Sequence, residues 1–303
     1  MSEKYPLQSE GARLESTLGD LQREHAVKDI AGWESGFPGL SRALDGILPG
    51  LYMLIGPPAS GKSALAKQLL DQLAMHNGAP GVFFTLAETA KELRIKTLAR
   101  LSGVESREIR RGSAYLLHWY GVPKRHHGTT EDLAPGWEKL QETARAAKSW
   151  LDLIYIVEWD RSSSLQRLEE CLEEVRTQTG RQQIFVVIDD CQRLAARDRG
   201  LPDRLQMIAE ELQELAARLK LPVLGTWPDL AVSTFHPQAW SDRLPDADAV
   251  LVLERDQERT RQLIEPNQAL TLHVVKNRRG ETGRLAFDFY PAVAKFVEAE
   301  GTS

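Results

Sequence analysis

Short apolar runs recur along the chain and alternate with stretches whose apolar residues have helical spacing. Eight runs have the length and composition of buried strands: residues 51–55, 81–86, 153–157, 184–188, 222–226, 250–253, 270–275 and 285–289. Residues 63–76 follow the first run with apolar positions at helical spacing. Strands that alternate with helices predict an α/β fold with a mostly parallel central sheet flanked by helices, and the closely spaced last strands predict an antiparallel C-terminal edge.

The first 34 residues differ from this pattern, because they are polar and place Leu14, Leu18, Leu21 and Val27 only loosely at helical spacing. We interpret residues 1–34 as an N-terminal arm or linker helix, with a disordered tail as the alternative. Residues 35–299 are predicted to form one domain and residues 300–303 a tail. Residues 115–135, rich in Gly, His and Thr, have the least pattern and are predicted to be a surface loop.

The composition of the 303 residues is ordinary for a globular protein, with 42% hydrophobic and 27% charged residues. There is no apolar run near the ~20 residues that a membrane span needs, and no basic-then-apolar leader, so we expect a cytoplasmic protein without membrane contact. The two cysteines, Cys171 and Cys191, lack the spacing of a metal site or a disulfide framework. The net charge of -5 argues against a generally basic surface, so binding to nucleic acid would require basic residues that cluster locally.

Between the first strand and the first helix stands GPPASGKS, a match to the phosphate-binding pattern G-x-x-x-x-G-K-[ST]. Its glycines let backbone N–H groups surround phosphates, its lysine reaches the terminal phosphates and its hydroxyl binds Mg²⁺. The strand before it and the helix after it are the setting that the motif requires. ATP and Mg²⁺ are therefore the expected ligands, and the predicted nucleotide-binding residues are Gly56, Pro57, Pro58, Ala59, Ser60, Gly61, Lys62, Ser63 and Ala64.

A second acidic motif follows the apolar run at residues 184–188, where Asp189 and Asp190 end the strand. P-loop enzymes place at such a strand end the acid that holds hydrated magnesium, so Ser63 and Asp189 are the predicted metal ligands. The alternative is an acidic turn at a strand end, which is common in proteins. Together with the glycine-rich loop, the metal role is the stronger interpretation.

Hydrolysis also needs a group that deprotonates the attacking water, and Glu88 stands just past the run at residues 81–86. If the strands that carry the loop, Glu88 and Asp189 are neighbours, the three groups meet where open α/β sheets bind ligands. Glu88 is therefore a candidate catalytic residue beside Lys62. The alternative is a glutamate that caps or stabilises the first turn of the following helix.

Four stretches resemble the C-terminal ATPase domain of DnaB-type replicative helicases. They are GFPGL at residues 36–40 before the phosphate loop; FFTLAE at 83–88 with LARLSGV at 98–104 and IRRG at 109–112; VIDDCQRL at 187–194; and DAD at 246–248 with VKNRRG at 275–280. They span nearly all of residues 36–290. The IRRG segment and the Lys-x-Arg-x-Gly near the end are the most particular to that family.

This resemblance implies a RecA-like fold, ATP hydrolysis and a homo-oligomeric, hexameric ring around single-stranded DNA. It also implies that Lys276 and Arg278 reach a neighbouring subunit's nucleotide as catalytic cations; a basic hairpin tip is the alternative. Candidate DNA contacts are the arginines after the magnesium-binding strand and the one arginine in residues 231–245: Arg193, Arg197, Arg199, Arg204 and Arg243. A solvated charged loop is the alternative for the first four. Replication or mobile-element proteins are the implied partners.

The chain also departs from the family pattern. Ala87 precedes Glu88 where family members usually have leucine, and Trp227-Pro228-Asp229 replaces the expected Ser-Gln. The stretch at residues 231–245 is shorter than the family's DNA-gripping region, and the helical N-terminal domain of replicative members is absent from this sequence. Two hypotheses remain: a DNA-stimulated ring ATPase or helicase in replication of a chromosome or mobile element, or a RecA-like ATP-dependent switch or scaffold in recombination or regulation.

Overall fold

The computed structural model describes residues 30–111, 134–159, 165–194, 201–229 and 236–299. The predictions for residues 1–29, 115–133 and 300–303 lie outside these ranges. Residues 134 and 135 belong to a helix rather than to the predicted surface loop. Residues 31–33 already join the domain, because Trp33 forms an antiparallel bridge with Ile47 and the amide of Gly32 donates to the Asp45 carbonyl at 2.9 Å.

The chain alternates helices and strands through its first two thirds and ends in consecutive strands. The helices are α1 Pro38–Leu44, α2 Lys62–Asn77, α3 Ala90–Ser102, α4 Ser106–Arg111, α5 Ala134–Leu151, α6 Leu165–Thr179, α7 Leu201–Leu219, α8 Ala239–Arg243 and α9 Gln257–Thr260. The strands are β1 Gly50–Gly56, β2 Gly81–Thr85, β3 Ile154–Glu158, β4 Phe185–Asp189, β5 Pro222–Pro228, β6 Ala249–Arg255, β7 Gln268–Asn277, β8 Gly283–Tyr290 and β9 Lys295–Glu298. Single 3₁₀ turns occupy Cys191–Arg193 and Pro291–Val293.

These strands form a nine-stranded sheet in the order β3-β2-β4-β5-β1-β6-β7-β8-β9. In this sheet order, each neighbouring pair from β3 at the edge through β1 to β6 is parallel. The pairs β6-β7, β7-β8 and β8-β9 are antiparallel. The predicted α/β fold with an antiparallel C-terminal edge is confirmed, and all eight predicted strands are present. The ninth strand, β9, was not predicted from the sequence.

Two hydrophobic clusters cover the two faces of this sheet, because successive side chains of a strand point to opposite faces. On β1, Leu51, Met53 and Ile55 belong to the cluster that includes α6 and α7. Tyr52 and Leu54 belong to the cluster that includes α1 and α2. A central strand buried on both faces explains the uninterrupted apolar run at residues 51–55. Within the described ranges, no helix combines the length and apolar character that crossing a membrane requires.

The strand order corrects one expectation about the site. Strand β2, which leads to Glu88, and β4, which ends at Asp189, are neighbours. Strand β1, which leads into the phosphate-binding loop, is separated from β4 by β5. The end of β5 therefore enters the site between the loop and Asp189, and this brings Asp229 to the same edge of the sheet.

Candidate active site

The loop between β1 and α2 has the conformation that a phosphate-binding loop needs. Gly61 is the N-cap of α2 with φ 88°, a region that favours glycine. A Cβ at this position would lie 2.9 Å from Phe296 Cζ and 3.0 Å from Phe289 Cε1. No side chain caps the amides of the first helical turn, so these N–H groups and the positive end of the helix dipole are available to an anion.

Lys62 is the first residue of α2, and its ammonium donates to the carbonyls of Gly56 and Pro57, each at 2.8 Å. Burial lowers the pKa of Lys62, while the carboxylates of Asp189, Asp190 and Asp229 raise it. The structure therefore brings Lys62 together with the end of β4, as predicted, and also with the end of β5. A cation within electrostatic reach of three carboxylates is suited to a ligand that brings both phosphates and a metal ion.

Asp189 is almost fully buried at the end of β4. Its Oδ1 accepts a hydrogen bond from the hydroxyl of Thr226 at 2.6 Å. Its Oδ2 is buried and has no hydrogen-bond partner among the described residues. A buried carboxylate oxygen without a donor is costly unless a cation compensates it. This oxygen and the Ser63 hydroxyl are hard oxygen donors of the kind that Mg²⁺ prefers, so the predicted metal ligands fit this ion.

Glu88 lies in the turn between β2 and α3, where its backbone is fixed by Thr85. The Thr85 hydroxyl donates to the Glu88 carbonyl at 2.7 Å and accepts from the Glu88 amide at 3.0 Å. Its side chain extends towards α3, where Oε1 accepts a hydrogen bond from Lys96 Nζ at 2.5 Å. The helix cap is instead Thr89, whose side chain accepts from the amide of Glu92. The position of Glu88 at the carboxyl edge agrees with the prediction, but Lys96 was not foreseen.

Asp229 lies in the candidate site but was not predicted from the sequence to belong to it. It follows β5, its amide donates to the Gly56 carbonyl at 2.8 Å, and its buried carboxylate acts on Lys62. The indole N–H of Trp240 donates to Asp229 Oδ2 at 3.2 Å. From the sequence, residues 227–229 were only a departure from a family pattern. The sequence signal for Asp229 is a carboxylate at the end of a strand-like apolar run, the same signal that pointed to Asp189.

Lys276 and Arg278 lie at the opposite edge of the sheet from the phosphate-binding loop. Strand β7 runs antiparallel to β6, and the amide of Arg278 donates to the Asp248 carbonyl beside the start of β1. Lys276 Nζ donates to the carbonyls of Leu244 and Pro245 at 2.9 and 2.6 Å, and an Arg278 guanidinium nitrogen donates to Pro245 at 2.8 Å. At ~3.3 Å per strand residue, the length of β1 separates these cations from the loop of their own chain.

The structure places three of the five candidate DNA contacts, since Arg197 and Arg199 lie outside the described residues. Arg193 follows β4 and donates to the Leu86 carbonyl at 2.9 Å, next to the turn of Glu88. Arg243 ends α8 with its guanidinium 5.0 Å from the centre of the Trp240 ring. Arg204 is on α7, and its Nε has no hydrogen-bond partner among the described residues. Within the described ranges, no contact links Arg193, Arg204 and Arg243 to one another.

Comparison with known proteins assigns these motifs to one family. Residues 32–226 match the family described as DnaB-like helicase C terminal domain. A replicative DNA helicase DnaB from Leifsonia xyli subsp. xyli is 24% identical over 292 residues, which is 91% of this chain and 58% of the relative. A replicative DNA helicase DnaB from Treponema pallidum is 24% identical over 89% of this chain and 56% of the relative. The chain thus spans little more than half the length of these relatives.

Solved structures support the same fold. A structure of an ATPase domain superposes with a TM-score of 0.74 at 19% identity and covers 97% of this chain and 100% of its own. A structure of a DnaB-like replicative helicase and its interactions with primase gives a TM-score of 0.71 at 19% identity, covering 99% of this chain and 69% of its own. The predicted RecA-like fold is confirmed by these likenesses.

Proposed function

The chain belongs to the family of DnaB-like helicase C-terminal domains, and we propose that it is an ATP-hydrolysing motor that acts on single-stranded DNA as a homo-oligomeric, hexameric ring. The observation that carries this proposal is the meeting of Lys62 with the carboxylates at the ends of β4 and β5, at the end of the glycine-rich loop. This is the constellation that P-loop enzymes use for a nucleotide and its metal ion.

ATP would bind with its phosphates against the amides of the loop and the first turn of α2, where no side chain competes for these donors. Lys62 would exchange the carbonyls of Gly56 and Pro57 for the terminal phosphates. Mg²⁺ held by Ser63 and Asp189 would neutralise charge on the phosphate oxygens. The buried, unpartnered Oδ2 of Asp189 supports this assignment.

Glu88 is the proposed general base that takes a proton from the attacking water. Lys96 holds its Oε1 at 2.5 Å, while Oε2 accepts no hydrogen bond from the described residues. The second carboxylate oxygen is therefore available for the water. Thr85 fixes the backbone of Glu88 from both sides, which supports a carboxylate with a defined direction.

The hydrolytic site would be completed by the neighbouring subunit. Lys276 and Arg278 face away from their own phosphate-binding loop, at the edge where β1 begins. Supplied in trans, the two cations would stabilise the charge of the transferring phosphate as an arginine finger does. This arrangement makes the ring necessary for turnover and couples each site to its neighbour.

Single-stranded DNA is the proposed substrate of the motor, with Arg193, Arg243 and the arginines near residue 200 as backbone contacts. The two DnaB relatives are replicative helicases, which supports a role in replication of a chromosome or mobile element, in the cytoplasm. One relative of known structure was studied with primase, and a replication protein is the kind of partner we propose for this chain.

The steady-state ATPase rate with and without single-stranded DNA tests this function. We expect DNA to raise the rate several-fold at about 50 mM salt and to lose much of that effect at about 200 mM, because contacts to phosphates weaken steeply with salt. Substitution of Arg193 by Gln should raise the DNA concentration needed for half stimulation. An unchanged ATPase rate with DNA at both salt concentrations would contradict the motor and favour a RecA-like switch or scaffold.

A further inference from the structure

A cavity of about 240 Å³ lies between helices α2 and α3 and strand β3, on the face of the sheet opposite α7. We call it the α2–α3 cavity. Its polar lining is Lys67 from α2 with Arg94 and Thr97 from α3. Its apolar lining is Leu98, Leu151, Ile154 and Ile156. It therefore combines a cationic end with a hydrocarbon wall, and none of these residues belongs to the proposed ATPase site.

The cationic end contains more positive than negative charge. Lys67 and Arg100 both form ion pairs with Asp71, and the three side chains are only 1%, 6% and 4% exposed. Thr97 adds no charge; its hydroxyl accepts from Lys67 and donates to Asp71, each at 2.8 Å. Two buried cations thus share one carboxylate. Since a buried charge is costly without a counterion, this cluster is electrostatically suited to a further anion.

Two side chains, Lys67 and Arg94, have N–H donors available to such an anion. An ammonium has three N–H donors, and Lys67 directs two of them to Asp71 and Thr97. The third has no partner among the described residues. Arg94 lines the same cavity, acts electrostatically on Lys67 and forms no ion pair within the described ranges. Its five guanidinium N–H donors suit an oxyanion.

Burial lowers the pKa of Lys67, and Arg100 and Arg94 lower it further, while Asp71 raises it. An anion beside Lys67 would favour the charged ammonium and so bind more tightly to it. The apolar wall selects among anions, because a bare inorganic ion would leave the four aliphatic side chains without contact. A cavity of about 150 Å³ holds a benzene-sized molecule, so the α2–α3 cavity has room for a short hydrocarbon chain.

We propose that the α2–α3 cavity binds a small amphipathic monoanion, a carboxylate whose oxygens accept hydrogen bonds from Lys67 and Arg94 and whose hydrocarbon body contacts the aliphatic wall. The site joins α2, which begins at Lys62, to α3, which carries Lys96. A ligand there would contact both helices that position the ATPase residues. The proposal itself requires only the cavity and its charges.

Isothermal titration calorimetry with hexanoate tests the proposal. Two control ligands separate its features. Acetate has the carboxylate charge but not the hydrocarbon chain of hexanoate, and 1-hexanol has the hydrocarbon chain but no charge. Since each buried methylene adds about fourfold in affinity, hexanoate should bind at least about tenfold more tightly than acetate. It should likewise bind at least about tenfold more tightly than hexanol. The absence of hexanoate binding up to about 10 mM, or equal binding of the three probes, would overturn the proposal.

Two variants locate the site. Lys67→Met keeps the length of the side chain and leaves Asp71 paired with Arg100 and Thr97, so we expect it to fold and to bind hexanoate at least about tenfold more weakly. Arg94→Gln, which changes an exposed residue, should weaken binding similarly and decides the question if Lys67→Met does not fold. Lys91→Gln on the same helix is the matched control and should bind like the original chain. Full affinity in Arg94→Gln or Lys67→Met would place the anion elsewhere.

Discussion

Glu88 and Lys96 form an ion pair with 2.5 Å between Oε1 and Nζ, and their side chains are 27% and 16% exposed. The pair connects the turn after β2 to the middle of α3. Helix α3 is itself fixed to α2 by the buried contacts of Thr97 and Arg100 with Asp71. The direction of the Glu88 carboxylate is therefore set relative to the helix that begins at the phosphate-binding loop.

Replacement of Lys96 by Met should lower kcat for ATP about tenfold, because the carboxylate loses its fixed direction while the phosphate-binding amides stay in place. The KM for ATP should change little. Lys96→Arg should restore most of the rate, since it keeps a cation at this position.

Lys91→Met, an exposed position on the same helix, is the control for this substitution. If Lys96→Met instead hydrolyses ATP faster than the original chain, the pair restrains Glu88 and does not position it. The Lys96 substitution should have no further effect once Glu88 is already Gln, because the two residues act through one contact.

Glu88→Gln should retain ATP binding and lose hydrolysis by at least the ~10²-fold typical of a lost general base. The amide keeps the size of the side chain but cannot accept the proton from water. The measurement is single-turnover hydrolysis with the bound ATP quantified in parallel. A normal rate in Glu88→Gln would show that another group activates the water.

Much of this fold could be predicted from the sequence because central strands such as β1, β2 and β4 are buried on both faces and stand out as apolar runs. The strand β9 could not, because Lys295–Glu298 has only four residues and no sustained alternation. The insertion of β5 between β1 and β4 depends on pairing between distant segments, which local patterns do not encode. Local patterns did identify Asp189 and Glu88, because both stand at the ends of apolar runs. They did not identify the contact of Asp229 with the loop or that of Lys96 with Glu88, because these contacts join segments that are not adjacent in the sequence.

The trans role of Lys276 and Arg278 can be tested by mixing two inactive variants. Lys62→Ala subunits keep Arg278 but lose the lysine of the phosphate-binding loop. Arg278→Ala subunits keep that lysine but lose the cation proposed to act on the neighbouring subunit's nucleotide. In randomly mixed rings, about a quarter of the junctions should combine an intact loop with an intact finger.

We therefore expect ATPase activity to reappear on mixing, although each variant alone is inactive. Light scattering must show that both variants still assemble. If mixed assemblies of the same size stay inactive, the two cations do not complete a neighbour's site.

Trp240 contributes to stability through its indole N–H, which donates to the buried Asp229 carboxylate. Trp240→Phe removes that donor but keeps an aromatic ring beneath Arg243. We expect the free energy of unfolding to fall by about 1–3 kcal/mol, because a buried carboxylate loses a hydrogen-bond donor. Urea denaturation measures this difference. Trp137→Phe, at an exposed position of α5, should change it by less than about 0.5 kcal/mol.

We propose that a triphosphate lies against the amides at the start of α2, with its metal ion between Ser63 and Asp189. Calorimetric titration of ATP with Mg²⁺, repeated in EDTA, measures both of these contacts. We expect the original chain to bind ATP and Lys62→Ala to bind it about a hundredfold more weakly. Asp189→Asn should bind ATP more weakly than the original chain when Mg²⁺ is present, but as tightly as the original chain in EDTA. If the original chain binds no ATP, or if the Asp189→Asn variant binds Mg²⁺-ATP as tightly as the original chain, the triphosphate and its metal ion do not occupy this site.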